Sequence, residues 1–221
     1  MSSESESIKG ALSASDDNKA RAKTEADMEA LSRSPGIRLA KLMGVHLLTA
    51  LLVLSLFAAA VSWSVVSGLG IASALSVATG ALAGITLSTL VHEWFHYAGA
   101  RYAAASFTVP KKLGLFLYDW HFEKNDQHQF LVMSVAGSVG GFLSLLFLWH
   151  AVPADNWGGA ALRAGVIASI VFAALVEWPV VRQVRQGADP MMELANIPGR
   201  LRRCFIIASA VGILATVYFG A

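Results

Sequence analysis

The sequence predicts an all-α membrane protein of about five transmembrane helices, with a short membrane-associated hairpin or re-entrant segment between spans two and three. Three observations carry this. Of 221 residues, 55% are hydrophobic and only 14% are charged, well below the roughly 25% charged residues of an ordinary soluble domain. Mean hydropathy is +0.56. Apolar runs of about 20 residues, the length that crosses a hydrocarbon core, recur along the chain and are separated by short polar, Gly- or Pro-containing stretches.

Residues 1–36 are rich in Ser, Glu, Asp and Lys. They are too poor in apolar side chains to offset the entropy of ordering, so a disordered cytoplasmic tail is expected. Residues 37–221 form the polytopic membrane domain. Span one runs from about Leu39 to Val66, with Arg38 and Lys41 at its start and Trp63 near the far interface. Its first apolar residues follow nearly forty polar ones, and it is too long for the core of a signal peptide, so none is expected. Gly68 and Gly70 mark a short uncharged turn. Span two, about Ile71 to Ala98, is rich in Gly, Ala, Ser and Thr, which let helices approach closely.

Phe107 to Phe122 alternates partly between apolar and polar residues and is broken by Pro110 and Gly114, the pattern of a short hairpin lying against the membrane face. Span three is Phe130 to about Val152, with Gly137 and Gly141 in GxxxG spacing. Span four, about Ala161 to Val181, contains Glu177 and Pro179. A polar turn through Asp189 and Pro190 leads to Arg200, Arg202 and Arg203, and span five is about Cys204 to Phe219. The tail, the start of span one and the second and fourth loops hold every Lys and Arg except Arg163. The positive-inside rule therefore places the N-terminus in the cytoplasm and the C-terminus outside.

The chemistry is concentrated at His92-Glu93-Trp94-Phe95-His96, near the end of span two. On a helix, residues four apart share a face, so His92 and His96 can offer two imidazoles to one Zn2+. Glu93, one residue along, can act as general base toward a water there. An ionisable group at the centre of a membrane helix costs about 2.5–3.5 kcal/mol on insertion scales, which argues for a function. The single cysteine, Cys204, excludes an intramolecular disulfide and a cysteine-based zinc site. A histidine-rich di-iron site is excluded too: of six histidines, only His92 and His96 are close enough to cooperate.

With that motif in place, the chain resembles the site-2 proteases, the intramembrane zinc metalloproteases, over roughly residues 70–195. His92 to Tyr102 resembles the family's HExxH and the small-residue, basic helix end after it. Phe130 to Leu148, with Ala136-Gly137 inside it, resembles the helix that begins with Gly-Pro-x-x-Asn. Pro179 and Asp189 resemble the Asn-x-x-Pro-x-x-x-Leu-Asp-Gly patch. The chain departs from the pattern at Ser138 (family Pro), at Gly141 (family Asn) and at Pro190 (family Gly), and Pro179 stands ten residues from Asp189 instead of about five.

The resemblance implies an intramembrane endopeptidase that cleaves transmembrane substrate helices near the cytoplasmic face. Glu93 would be catalytic, and Zn2+ would be held by His92, His96 and Asp189. Glu177 is the alternative third ligand, because span four places it at about the depth of His92. The implied partners are a transmembrane protein substrate and membrane lipid, with no nucleic acid. The implied location is a bacterial inner membrane. A catalytically inactive relative acting as a binding or regulatory partner is the alternative reading.

Overall fold

The computed structural model describes residues 34–220; the expected tail, apart from its last three residues, lies outside the described part. Among the described residues, five helices are long and apolar enough to cross a membrane. They are α1 (Pro35–Ser67), α2 (Gly70–Tyr102), α3 (Gln127–Ala151), α4 (Trp157–Arg185) and, after the short α5 (Pro190–Ala195), α6 (Pro198–Gly220). The expected class and the number of spans are both found. Each helix extends beyond its apolar run, because helical hydrogen bonding continues through polar flanks that hydropathy alone leaves out.

Local chemistry explains several helix ends. Pro35 and Pro190 sit in the first turns of α1 and α5, where a missing N–H leaves no bond unmade. Gly68 closes α1 in a left-handed conformation, which costs glycine little. Asp126 opens α3 with a capping box: its carboxylate accepts from the Gln129 N–H at 2.8 Å, and the Gln129 side chain accepts from the Asp126 N–H at 3.0 Å.

Helix α2 is central and packs on α1, α3 and α4, while α6 packs on α4. The contact between α2 and α4 is made by backbones. A Cβ added at Gly84 would fall well inside van der Waals contact with the Leu162 carbonyl of α4, so only glycine permits this approach. Two apolar clusters lie along the bundle. One gathers Val53, Ala83, Leu148, Leu162 and Val166. The other gathers Ala100, Phe130, Met133, Val180 and Val184. On α2, α3 and α4 alike, the chemical residues fall between these two clusters in sequence. The outer faces of α1 and α6 expose large apolar side chains such as Leu48, Leu52, Ile213 and Leu214, as surfaces turned toward lipid do.

The connection from α2 to α3 is the strap, residues 103–126. It contains the expected hairpin in its shortest form: β1 (Phe107–Thr108) pairs antiparallel with β2 (Asp119–Trp120), in register Phe107 with Trp120 and Thr108 with Asp119. Its base is clasped by Asn125, whose side chain accepts from the Ser106 N–H at 2.6 Å and donates to the Ser106 carbonyl at 2.7 Å. Rings run edge-to-face through it, from Tyr97 on α2 through Phe107, Tyr118 and Trp120 to Phe130 on α3. Its tip is tied to α1, where the buried His46 donates from Nε2 to the Gly114 carbonyl at 2.9 Å and accepts at Nδ1 from the Trp94 indole at 3.1 Å.

Candidate metal centre

The one-turn spacing of His92 and His96 does what it predicts. Both imidazoles project from one face of α2 into the bundle, and each is under a tenth exposed. The third group comes from α4. The Glu177 Oε1 lies 2.7 Å from His92 Nε2 and 3.4 Å from His96 Nε2, and the two Nε2 atoms are 2.9 Å apart. Among the described residues these three form the group able to hold a metal ion.

Asp189 is not brought to this centre. It caps α5, its carboxylate accepting from the Met192 N–H at 3.0 Å. The physical reason is the length of α4. That helix continues to Arg185, carrying Glu177 past the histidines while still inside the bundle. Asp189 arrives only after the chain has turned away, and there its oxygen is spent on a helix N-terminus. The carboxylate that joins the histidines is therefore Glu177, the alternative read from depth, and not the one read from resemblance.

Counting protons at the centre tests whether a cation fits. His96 donates from Nδ1 to the Met133 carbonyl at 2.8 Å. In the neutral ring this leaves Nε2 as a bare lone pair aimed inward. A neutral His92 then has one Nε2–H to share between two acceptors, His96 Nε2 and Glu177 Oε1. Lone pairs outnumber protons, and the second oxygen of Glu177 is buried without a hydrogen-bond partner. A cation satisfies what the protons cannot. Tetrahedral Zn2+ at about 2.0–2.2 Å from its ligands sets them roughly 3.4 Å apart; the His96–Glu177 side of the triangle, at 3.4 Å, already has that length, the sides at 2.7 and 2.9 Å would open to receive the ion, and the Met133 carbonyl is the outer partner that fixes a ligating histidine's tautomer. The three residues fit zinc.

Helix α3 is shaped around this arrangement. A Cβ at Gly137 would collide with the His96 ring, so the absence of a side chain there is what makes room for the imidazole. Gly141 also faces the site, with a built Cβ 3.8 Å from His92 Nδ1. Glu93 is 8% exposed and makes no hydrogen bond to another described residue, leaving its carboxylate available to solvent or ligand.

All four groups line a cavity of about 500 Å³. Its walls are Phe130 and Met133 of α3, Phe172 and Val176 of α4, and the strap's Phe116 and Tyr118. Pro179, two residues beyond Glu177, lies inside α4 and withholds the N–H that the Leu175 carbonyl would otherwise receive. Burial raises the pKa of the Tyr118 phenol, and the carboxylates of Glu93 and Glu177 add to the shift. Sequence reasoning did not place Tyr118 in the site. Its only signal was the alternation of aromatics along the strap, which does not say which ring turns inward.

No protein-family model, curated protein or solved structure matches the chain significantly. The likeness to site-2 proteases therefore rests on the quoted motif residues alone.

Proposed function

We propose that the protein is a zinc-dependent intramembrane endopeptidase that hydrolyses peptide bonds in transmembrane helices of other proteins. The observation that carries this reading is the meeting of His92, His96 and Glu177 beside an unengaged Glu93, inside a cavity between membrane-length helices. Two histidines and a carboxylate leave a fourth position for water, the arrangement of catalytic rather than structural zinc. When bound, zinc supplies Lewis acidity and brings a water's pKa toward about 7.

This chain's own residues supply the rest. Glu93 takes the proton from the attacking water and returns it to the departing amine, so the C–N bond breaks as a neutral amine leaves. The apolar walls exclude bulk water and strengthen each electrostatic contact inside. Pro179 loosens α4 beside Glu177, giving a substrate strand unpaired backbone to meet. The distribution of Lys and Arg supports a site near the cytoplasmic face, and the resemblance to site-2 proteases supports a bacterial inner membrane.

The test is metal analysis and a cleavage assay of the full chain in detergent or liposomes, beside a Glu93→Gln variant. Zinc near one equivalent in both, with cleavage of membrane-spanning substrates by the parent alone, is the expected result. A parent that holds no zinc, or holds it and cleaves nothing, overturns the reading.

A further inference from the structure

The cavity holds more hydroxyl groups than the reaction described above employs. Two pairs are already engaged: Ser144 donates to Ser88, and Thr89 and Ser169 bond each other at 3.1 Å. His92 and His96 are committed to the centre. Ser134 and Tyr118 carry the remaining hydroxyls of the lining, and of these the Tyr118 hydroxyl is the one delivered by the strap. It belongs to a residue lining the same cavity as His92, Glu93, His96 and Glu177, and it makes no hydrogen bond to another described residue.

The ring that carries it is held on both sides, edge-to-face with Phe107 at 5.7 Å and with Trp120 at 6.3 Å between centroids. A partly buried hydroxyl favours a hydrogen-bond partner, and the two edge contacts hold the ring that presents it. Tyr118 shares the lining of this cavity with Glu93 and Glu177, and burial raises its pKa, so it stays a neutral O–H donor over the whole working range.

Peptide hydrolysis has a matching requirement. As water adds to the carbonyl carbon, the carbonyl oxygen gains negative charge inside an apolar cavity that already contains two carboxylates. A preorganised donor aimed at that oxygen lowers the barrier. The amide groups of α2 and α4 around the site are tied up in helical bonds, which turns the search for a donor to the strap and to the cavity's side chains. We propose that the Tyr118 hydroxyl donates a hydrogen bond to the carbonyl oxygen of the scissile peptide, and that the strap thereby delivers a catalytic group as well as covering the site.

No proton is transferred from Tyr118. The new C–O bond forms with water, the C–N bond breaks, and the proton passes from water to Glu93 to the amine, while the phenol O–H stays intact. The inference rests on the endopeptidase reading, and two readouts separate their failures.

Tyr118→Phe keeps the ring and both edge contacts and removes only the hydroxyl. Relative to an active, zinc-loaded parent it should keep its zinc, keep KM within about twofold and lose about 10²-fold in kcat, the usual loss for one such donor. A phosphinic pseudopeptide, which carries the tetrahedral oxygens, should bind zinc-loaded Tyr118→Phe more weakly by a similar factor in calorimetry. Ser134→Ala, which removes a buried cavity hydroxyl that makes no hydrogen bond to another described residue, should change neither readout. Equal kcat and equal analogue affinity in Tyr118→Phe and an active parent would overturn the assignment while leaving the endopeptidase reading intact, as would a loss confined to Ser134→Ala. A parent that neither cleaves nor binds the analogue overturns both.

Discussion

The two sides of the cavity are built in opposite ways. One side is helix packed on helix: α2 meets α4 through Gly84, α3 leaves room for His96 at Gly137, and every candidate metal ligand projects from the interior of a long helix. The other side is the strap, with two residues in each strand, an exposed tip at Leu113 to Phe116, and anchors at only a few hydrogen bonds and ring edges. The difference teaches where precision resides. Ligand atoms that must hold a triangle to a few tenths of an ångström sit on elements that cannot slide. In the proposed endopeptidase, the groups that would admit a substrate sit on a segment whose fastenings can be undone locally.

The sharpest test of this division is metal binding. Glu177→Gln should reduce zinc affinity more than about 100-fold, exceeding the 10–100-fold typical of partners one shell further out, whereas Asp189→Ala should leave it within twofold. Metal titration of the two variants reads this directly, and the reverse outcome would move the third ligand to the surface turn. Next in size is Glu93→Gln, expected to lower cleavage by about 10²- to 10⁴-fold with zinc content unchanged; a parallel loss of zinc would make Glu93 structural instead. In stability, Gly84→Ala should cost about 1–3 kcal/mol, or more if α4 cannot yield. Gly114→Ala, at a strap position where an added Cβ meets nothing within 4 Å, should cost almost nothing. Thermal unfolding in detergent compares the pair. At the site the smallest effect is expected at His46→Ala, which removes the bonds to Gly114 and Trp94, worth about 1 kcal/mol each, and acts on the strap's tip, not on the metal ligands. It should raise thiol labelling of a cysteine placed at Leu113 a few-fold without changing zinc content, and unchanged labelling would mean that the tip is held by packing alone.

How much of this is legible in the sequence follows from the range of each interaction. The five spans are read from continuous apolar runs, because burial in lipid acts on every residue of a run. The hairpin is read from Pro110, Gly114 and the aromatic alternation, although only four residues form its ladder. His92, Glu93 and His96 are read from spacing within one helix. Glu177 is also visible, as a lone carboxylate inside a span, but ranking it against Asp189 requires knowing which face of α4 meets α2. That is settled by Gly84 and Leu162 at a distance. The bond from His46 to Gly114 joins residues 68 apart, and the inward turn of Tyr118 depends on how the strap docks. Neither leaves a local mark.

The train of rings from Tyr97 to Phe130 has a mechanical consequence. Each inner ring touches the one before and the one after, so lifting any single ring breaks two contacts, while lifting all of them together breaks only the contacts at the ends of the train. Motion of the strap is thus collective, with the Asn125 clasp as its pivot and the peptide at Gly114 as its latch. Trp120, as a member of that train, makes the movement optical: its indole passes from an apolar wall to water in one step, so its emission should shift red as a single transition as the latch is released.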